Sequence, residues 1–355
     1  MVATEQGKLK GLVTYGPRQS LTSFAAALGE LRALGVGIEL APFAENPQRE
    51  RLAALAKDVR LVVMLVLKRW DFVILNSGAS LIARPHLLRA LLRLLAGRGI
   101  PVFMVWHNVA EKFTVLQRRL GTHPYRQTLD AIKRGRIVHL AVSHKSAQDV
   151  MAELDEQNVG VVWNCQTPPD SPMPAVPVEP PLIFNAASVI KRKGPDLFVR
   201  IAALVAKQRM DVRFVWSGGE ATDELQALVR SLGIEKIVSF IGFYDRVYDY
   251  MNEASLLLLP SRDEAFGLVA VEAMACYRTV VYFASNGIAE VVGDTGCCAP
   301  VEDVAQAARF ILAQLDRPAA ERINQLARLR YDELFTPKVY AARFASIIRH
   351  HLQSR

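Results

Sequence analysis

Leu256-Leu257-Leu258-Leu259-Pro260-Ser261-Arg262-Asp263-Glu264-Ala265-Phe266-Gly267-Leu268-Val269-Ala270-Val271-Glu272-Ala273-Met274-Ala275 is the stretch on which the fold reading turns. Four successive leucines with no polar alternation predict a strand covered on both faces, as in a parallel sheet. Pro260 and Ser261 end that strand. Ala265 to Ala275 predicts a helix, with Leu268, Val271, Met274 and Ala275 on one apolar stripe at helical spacing. A loop that leaves the carboxyl end of a parallel strand and enters a helix N-terminus is where open α/β sheets bind ligands. Two carboxylates bracket this one, Glu264 before the first turn and Glu272 within the helix.

The same alternation extends in both directions. Upstream, strands are predicted at Leu182 to Ala187, Val212 to Trp216 and Ile237 to Ile241, with helices over Asp196 to Lys207 and through Leu225, Val229 and Leu232. Downstream come a strand at Thr279 to Phe283, a helix from Val304 to Leu315 and a final amphipathic helix from Pro337 to Leu352. The first half reads alike, with strands at Gly11–Tyr15, Gly37–Ala41, Phe72–Leu75, Pro101–Trp106, Arg136–Val142 and Val159–Trp163. Gly16-Pro17 after the first strand fits either a plain turn or half of a nucleotide-binding unit. Arg49 to Trp70 predicts a helix whose late part is densely apolar. The helix that Pro85 opens carries Leu87, Leu88, Leu91, Leu92, Leu94 and Leu95 beside Arg84, Arg89, Arg93 and Arg98. Its leucines fit core packing, with the arginines left to meet solvent or lipid headgroups. Between the halves, seven prolines from Pro168 to Pro181 exclude helix and central strand and predict a stiff linker over 166–181.

A length of 355 residues exceeds one ordinary core and predicts two domains. An apolar share of 51% and a charged share of 22% are those of a folded protein. Met1 to Lys10 is polar and predicts no cleaved leader, and the longest apolar run, Leu61 to Leu67, falls far short of the roughly 20 residues of a membrane span. Cys165, Cys276, Cys297 and Cys298 lack metal-ligand spacing and predict reduced thiols in a cytoplasmic protein. Residues 1–165 hold 22 Lys+Arg against 13 Asp+Glu, so the whole basic excess of the chain, +8, falls in that half. It suits an anionic partner (a membrane surface, a lipid phosphate or, least favoured, nucleic acid) or a solvated basic face.

Several blocks in the second half resemble, in order, the retaining glycosyltransferases of family 4, the glycosyl transferases group 1, which have the GT-B fold. They are Ala187-Ser188-Val189-Ile190-Lys191-Arg192-Lys193-Gly194-Pro195-Asp196, Trp216-Ser217-Gly218-Gly219, Val238-Ser239-Phe240-Ile241-Gly242, Pro260-Ser261 with Glu264 and Glu272, and Asn286-Gly287-Ile288-Ala289-Glu290. The first half matches more loosely, through Gly16, Trp106-His107-Asn108, Ser143 and Asn164. The resemblance implies two Rossmann-like doubly wound α/β domains facing each other across a cleft. Residues 1–165 would take the acceptor, 166–181 link, 182–336 bind a nucleotide-sugar donor, and 337–355 cross back as a helix to the first domain.

The resemblance also implies roles. Lys193 would meet the donor diphosphate, where negative charge grows as the leaving group departs. Ser188 and Arg192 lie on the same loop, and the N–H groups of Phe266, Gly267 and Leu268 would add the helix dipole. Glu272 would accept from the ribose diol, Glu264 would meet hydroxyls of the donor sugar, and His107 would reach that sugar from the first domain. Gly16 would let the first loop approach the phosphates, and Gly242, Phe243 and Tyr244 would frame the base. Taken alone, Lys191 to Lys193 also fit an exposed basic turn, both glutamates a helix surface, and His107 a structural histidine.

The implied activity is transfer of a hexose-type sugar, with retention and without a metal or other cofactor, from a UDP- or GDP-type donor to an acceptor hydroxyl. A lipid-linked or cell-envelope saccharide is the preferred acceptor, for a cytoplasmic protein lying peripherally on the inner face of the plasma membrane. A GT-B epimerase or phosphorylase, or a non-catalytic nucleotide-sugar binder, is the alternative. Three departures bear on it. Ser188 stands where the family often has arginine, Tyr277 and Thr279 replace the usual glycine and proline after the Glu272 helix, and Gly287-Ile288-Ala289-Glu290 lacks a common proline.

Overall fold

The computed structural model describes residues 8–15, 21–42, 51–76, 84–107, 117–118, 121–135, 137–169, 179–285, 287–315 and 317–354. They form two parallel six-stranded sheets. The first contains β1 (Leu9–Tyr15), β2 (Val36–Pro42), β3 (Phe72–Asn76), β4 (Val102–Trp106), β5 (Ile137–Ala141) and β6 (Val159–Val161), in the order β2-β1-β3-β4-β5-β6. Between them run α1 (Thr22–Ala33), α2 (Arg51–Leu67), α3 (Pro85–Gly97), α4 (Thr122–Arg134) and α5 (His144–Leu154). The second contains β7 (Leu182–Ala186), β8 (Arg213–Ser217), β9 (Val238–Phe240), β10 (Leu256–Leu259), β11 (Thr279–Phe283) and β12 (Cys297–Ala299), in the order β12-β11-β10-β7-β8-β9. Its helices are α6 (Pro195–Ala206), α7 (Asp223–Ser231), α8 (Val247–Glu253), α9 (Leu268–Ala275), α10 (Ile288–Val292), α11 (Val304–Gln314) and α12 (Arg317–Leu334), and α13 (Pro337–Gln353) ends the chain.

The chain divides into two units. Met1–Cys165 with Pro337–Arg355 make the first, and Gln166–Thr336 the second. In the first, α13 packs on α1 through aromatic contacts, with Phe24 edge-on to Tyr340 at 5.6 Å and to Phe344 at 5.0 Å between ring centroids. In the second, each leucine of β10 is at most 1% exposed. β10 pairs with β7 through Leu256–Ile183 and Leu257–Phe184, and with β11 from Leu256–Thr279 to Leu259–Tyr282. Its side chains are covered on both faces, which is why the run lacks polar alternation. A leucine cut to alanine there would cost about 2–5 kcal/mol.

The strand order locates the ligand-binding edge. In the second sheet the chain steps outward from β7 to β8 and β9, then returns to place β10 on the other flank of β7. That reversal is a topological switch point, and α/β sheets open a crevice there at the strands' carboxyl ends. The segments leaving that edge are Ala187–Gly194 after β7 and Pro260–Gly267 after β10. In the first sheet the reversal falls between β1 and β3.

The structure departs from the sequence reading in particular places. The helix expected from Ala265 begins at Leu268, because Gly267 adopts a left-handed conformation (φ 88°) as its N-cap and Phe266 turns its ring into the core, 5.9 Å from Phe335. Phe266 and Gly267 therefore precede the helix instead of opening it. Three helices, α4, α10 and α12, have no counterpart in the reading. In α12 only Ala327 and Tyr331 are buried apolar residues among those whose side chains are described, too thin a stripe to announce itself as periodicity.

Candidate active site

At the switch point the turn after β7 and the loop after β10 are locked together. Lys191–Lys193 form a single 3-10 turn, closed by Gly194 at φ 71°. A Cβ on Gly194 would stand 2.1 Å from the Pro260 carbonyl oxygen, so only glycine allows the two segments to approach this closely. The Arg262 N–H donates to the Arg192 carbonyl at 2.8 Å, and the Arg192 guanidinium donates to the Asp263 carbonyl at 2.9 Å. Arg262 also donates to the Lys191 carbonyl at 2.8 Å and grips Asp196, at the start of α6, with two bonds of 2.8 Å. That bidentate pairing lowers the Asp196 carboxyl below its usual range.

This bracing brings Lys193 and Glu264 into a direct ion pair, with side chains only 17% and 10% exposed. Ser261 Oγ lies 3.5 Å from the same carboxylate oxygen, Oε2, and the Glu264 carbonyl accepts from the Gly287 N–H at 2.9 Å. Lys193 keeps further N–H donors and Glu264 a second oxygen. The pair can therefore offer cation and carboxylate to one ligand without parting. The Ser285 hydroxyl, buried at the end of β11, has no hydrogen-bond partner among the described residues.

Glu272 sits one helical turn into α9 and is partly buried. Burial pushes its carboxyl up to about 7, against the opposing pull of the Gln166 side-chain amide, which donates to Oε1. Gln166 is itself fixed. Its N–H donates to the Phe335 carbonyl at 3.2 Å, and its carbonyl accepts from the Tyr331 hydroxyl at 2.8 Å. The Arg328 guanidinium lies over the Tyr331 ring at 5.3 Å. Tyr248, whose hydroxyl donates to the Thr167 carbonyl at 2.8 Å, lies close enough for the Glu272 charge to help raise its phenol. Gln166, which bonds to Glu272, and Tyr331, which holds Gln166, escaped the sequence reading, as did Tyr248; no local signal marks partners so far apart in the chain.

Tyr277 and Thr279, where the family pattern breaks, have partners of their own. Tyr277 takes the positive φ (58°) that glycine would adopt without strain, and its ring stacks under Arg328 at 5.0 Å. The Arg328 guanidinium also donates to the Ala275 carbonyl at 2.8 Å, which satisfies the end of α9. Thr279 donates its N–H and its hydroxyl to Asn324 Oδ1 at 2.8 and 2.7 Å, bonds for which a proline has no donors. Between them Arg278 is fully buried. Its Nε donates to the Met251 carbonyl at 2.8 Å, and burial lowers its pKa to about 10.

The remaining candidates are placed as follows. Ser188 is exposed on the loop after β7. Gly242 is buried, its carbonyl accepting from the Gly218 N–H at 2.7 Å, and Phe243 beside it is 84% exposed, an unusual position for so large an apolar ring. In the first unit, His107 Nε2 lies 2.7 Å from Oδ1 of the buried Asn76, at the adjacent carboxyl ends of β4 and β3. Gly16, Asn108 and Asn286 lie outside the described residues.

Residues 180–317 match the family described as glycosyl transferases group 1. The chain is 37% identical over 152 residues to a D-inositol 3-phosphate glycosyltransferase 1 of Catenulispora acidiphila, covering 39% of this chain and 36% of that protein. It spans about a third of the length of the curated relatives it matches. Among solved structures, the Anabaena protein HepE in complex with UDP and glucose superposes with a TM-score of 0.71 at 16% identity, over 96% of this chain and all (100%) of that one. Sucrose-phosphate synthase from Thermosynechococcus elongatus gives 0.72 at 17% identity, over 98% of this chain and 100% of the other. These likenesses give the chain the GT-B fold, and residues 180–317 are similar to the glycosyl transferases group 1.

Proposed function

We propose that this protein is a retaining glycosyltransferase that moves a hexose-type sugar from a nucleoside-diphosphate sugar to an acceptor hydroxyl. The observation that carries the reading is the Lys193–Glu264 pair, braced at the switch point of the second unit and followed on α9 by the desolvated Glu272. Glu272 accepts from the ribose diol, and the exposed Phe243 offers its face to the base. Lys193 meets the diphosphate, aided by the amides at the start of α9, without a divalent ion. Glu264 takes the donor-sugar hydroxyls on its second oxygen. That UDP is recorded with HepE supports a nucleotide donor.

In the reaction the acceptor oxygen bonds to the anomeric carbon on the face from which the diphosphate leaves. The bond from that carbon to the phosphate oxygen breaks, the electron pair goes to the leaving phosphate, and that phosphate takes the acceptor proton. No covalent enzyme intermediate forms. Lys193 stabilises charge growing on the leaving oxygen, while the negative Glu264 beside it favours positive character on the sugar. In the first unit His107 is fixed by Asn76 at the carboxyl ends of β4 and β3. The acceptor is a lipid-linked or cell-envelope saccharide, taken by the basic first unit at the inner face of the membrane.

A panel of UDP and GDP sugars tests this, first by thermal shift and then by transfer of labelled sugar to lipid-linked acceptors. One donor should stabilise the wild type and give a labelled product with retained configuration. Lys193→Ala should lose transfer. Donor hydrolysis with no acceptor product would favour the epimerase or phosphorylase class instead. Against a degenerate binder stand Tyr277 and Thr279, each supplied with partners that keep the α9 exit ordered.

A further inference from the structure

We propose that the outward face of α2 docks on an anionic lipid bilayer. The proposal rests on the membrane-surface part of the reading above and moves the contact away from α3, where the arginine-rich sequence had suggested it. In α3 the leucines Leu88, Leu91, Leu92 and Leu95 are buried, and of the arginines on and beside it Arg84, Arg89 and Arg98 are engaged while Arg93 is exposed. Arg98 donates to the Val66 and Lys68 carbonyls at 2.9 and 3.2 Å, Arg84 pairs with Asp58, and Arg89 bonds to the Pro85 carbonyl at 3.2 Å.

α2 presents the opposite case. It holds the longest apolar run of the chain, yet only Leu61 and Leu65 of that run are fully buried. Val59, Val62, Val63, Val66 and Leu67 are 51%, 38%, 45%, 43% and 77% exposed. Their spacing of i, i+3, i+4, i+7 and i+8 aligns them on the side of the helix away from Leu61 and Leu65. Together these five side chains form one contiguous exposed apolar patch, a feature that on a monomer is often functional.

Charge selects the occupant. Lys57, Arg60 and Arg69 are exposed along the same stretch and make no ion pair among the described residues. Of the nearby acids, Asp58 pairs with Arg84, Glu39 with Lys68 at 2.7 Å, and Asp71 accepts from the Lys10 N–H at 2.7 Å. The whole first unit holds 26 Lys+Arg against 13 Asp+Glu, and the second 17 against 22. A second copy seated face to face on α2 would set cation against cation, whereas an anionic bilayer accepts both the valines and the bases. No helix among the described residues is long and apolar enough to cross a membrane, so the contact is one of lying on the surface.

The test is co-sedimentation of the full chain with vesicles of phosphatidylcholine alone or mixed with phosphatidylglycerol, at low and high salt. The wild type should sediment with the anionic vesicles, weakened by salt. Val62→Asp/Val66→Asp should weaken that binding at least tenfold, and Arg60→Gln/Arg69→Gln should remove most of its salt dependence. Val63→Trp should add fluorescence that shifts to the blue on anionic vesicles. Undiminished sedimentation of the valine variant, or an unshifted Val63→Trp signal, overturns the proposal. So does a wild-type dimer on size exclusion that the valine variant dissolves. UDP-induced thermal shifts taken on the same samples report the donor site separately, so failure of the docking face is not confused with failure of the transferase reading.

Discussion

Replacing Glu272 with glutamine should remove a pH-dependent weakness from the second unit. The carboxyl is held on α9 where burial raises its pKa from 4.5 to about 7, with only the Gln166 amide opposing. A folded-state value above the unfolded one means that the stabilising contribution is complete below about pH 4.5 and lost as pH rises through about 7. A shift of this size corresponds to about 3 kcal/mol between those limits. Glu272→Gln does not titrate and keeps a polar partner for Gln166. Its stability relative to wild type should therefore rise by about 3 kcal/mol between pH 4.5 and 8. Urea dependence of hydrogen exchange at the β10 and α9 amides follows the second unit apart from the first. Equal pH dependence in both proteins, within about 0.5 kcal/mol, would refute the desolvated carboxyl. Ligand sharpens the test. A ribose diol donates to the ionised form, so UDP should pull the pKa back down. Wild-type affinity for UDP should then climb as pH rises toward about 7, while the glutamine variant stays flat.

Three more perturbations separate the elements of the site. Phe243→Ala, at an 84% exposed position, should leave the melting temperature unchanged and cost about 1–3 kcal/mol of UDP binding, read by calorimetry. Thr279→Pro restores the family residue but strips Asn324 Oδ1 of both its donors, and should lower stability by about 1–3 kcal/mol in urea melts; adding Asn324→Leu should recover part of the loss. Gly194→Ala would drive a methyl group into the Pro260 carbonyl at positive φ. Stability should fall by about 1–3 kcal/mol, with UDP affinity lost alongside because the Lys193 turn must shift.

The sequence made the architecture legible because burial on both faces leaves a strong mark. Leu256–Leu259 could hardly be anything but a central parallel strand, and Pro260-Ser261 followed by the stripe of Leu268, Val271, Met274 and Ala275 announced a loop entering a helix. The family blocks then carried Lys193, Glu264 and Glu272 to one reading of the site. Less visible were partnerships made across long separations. Lys193 meets Glu264 over 71 residues, and Gln166 meets Glu272 over 106, neither by any periodic rule. The departures at Tyr277 and Thr279 looked like damage in one dimension. In three, they belong to a rebuilt helix exit whose other parts, Asn324 and Arg328, stand on α12, a helix too polar to predict. Exposure was legible only in part. The leucines of α3 read as core and are buried, while the density of apolar residues late in α2 gave no sign that Val59, Val62, Val63, Val66 and Leu67 face outward.

The central claim is that the β7–β10 edge grips a nucleoside diphosphate through Lys193 and Glu272. Isothermal titration of UDP and GDP into the wild type, Lys193→Ala and Glu272→Ala tests it most directly. The account predicts that one nucleotide binds the wild type and that each substitution weakens it at least tenfold, about 1.4 kcal/mol. Binding of neither nucleotide to the wild type, or equal affinity in all three proteins, would contradict it.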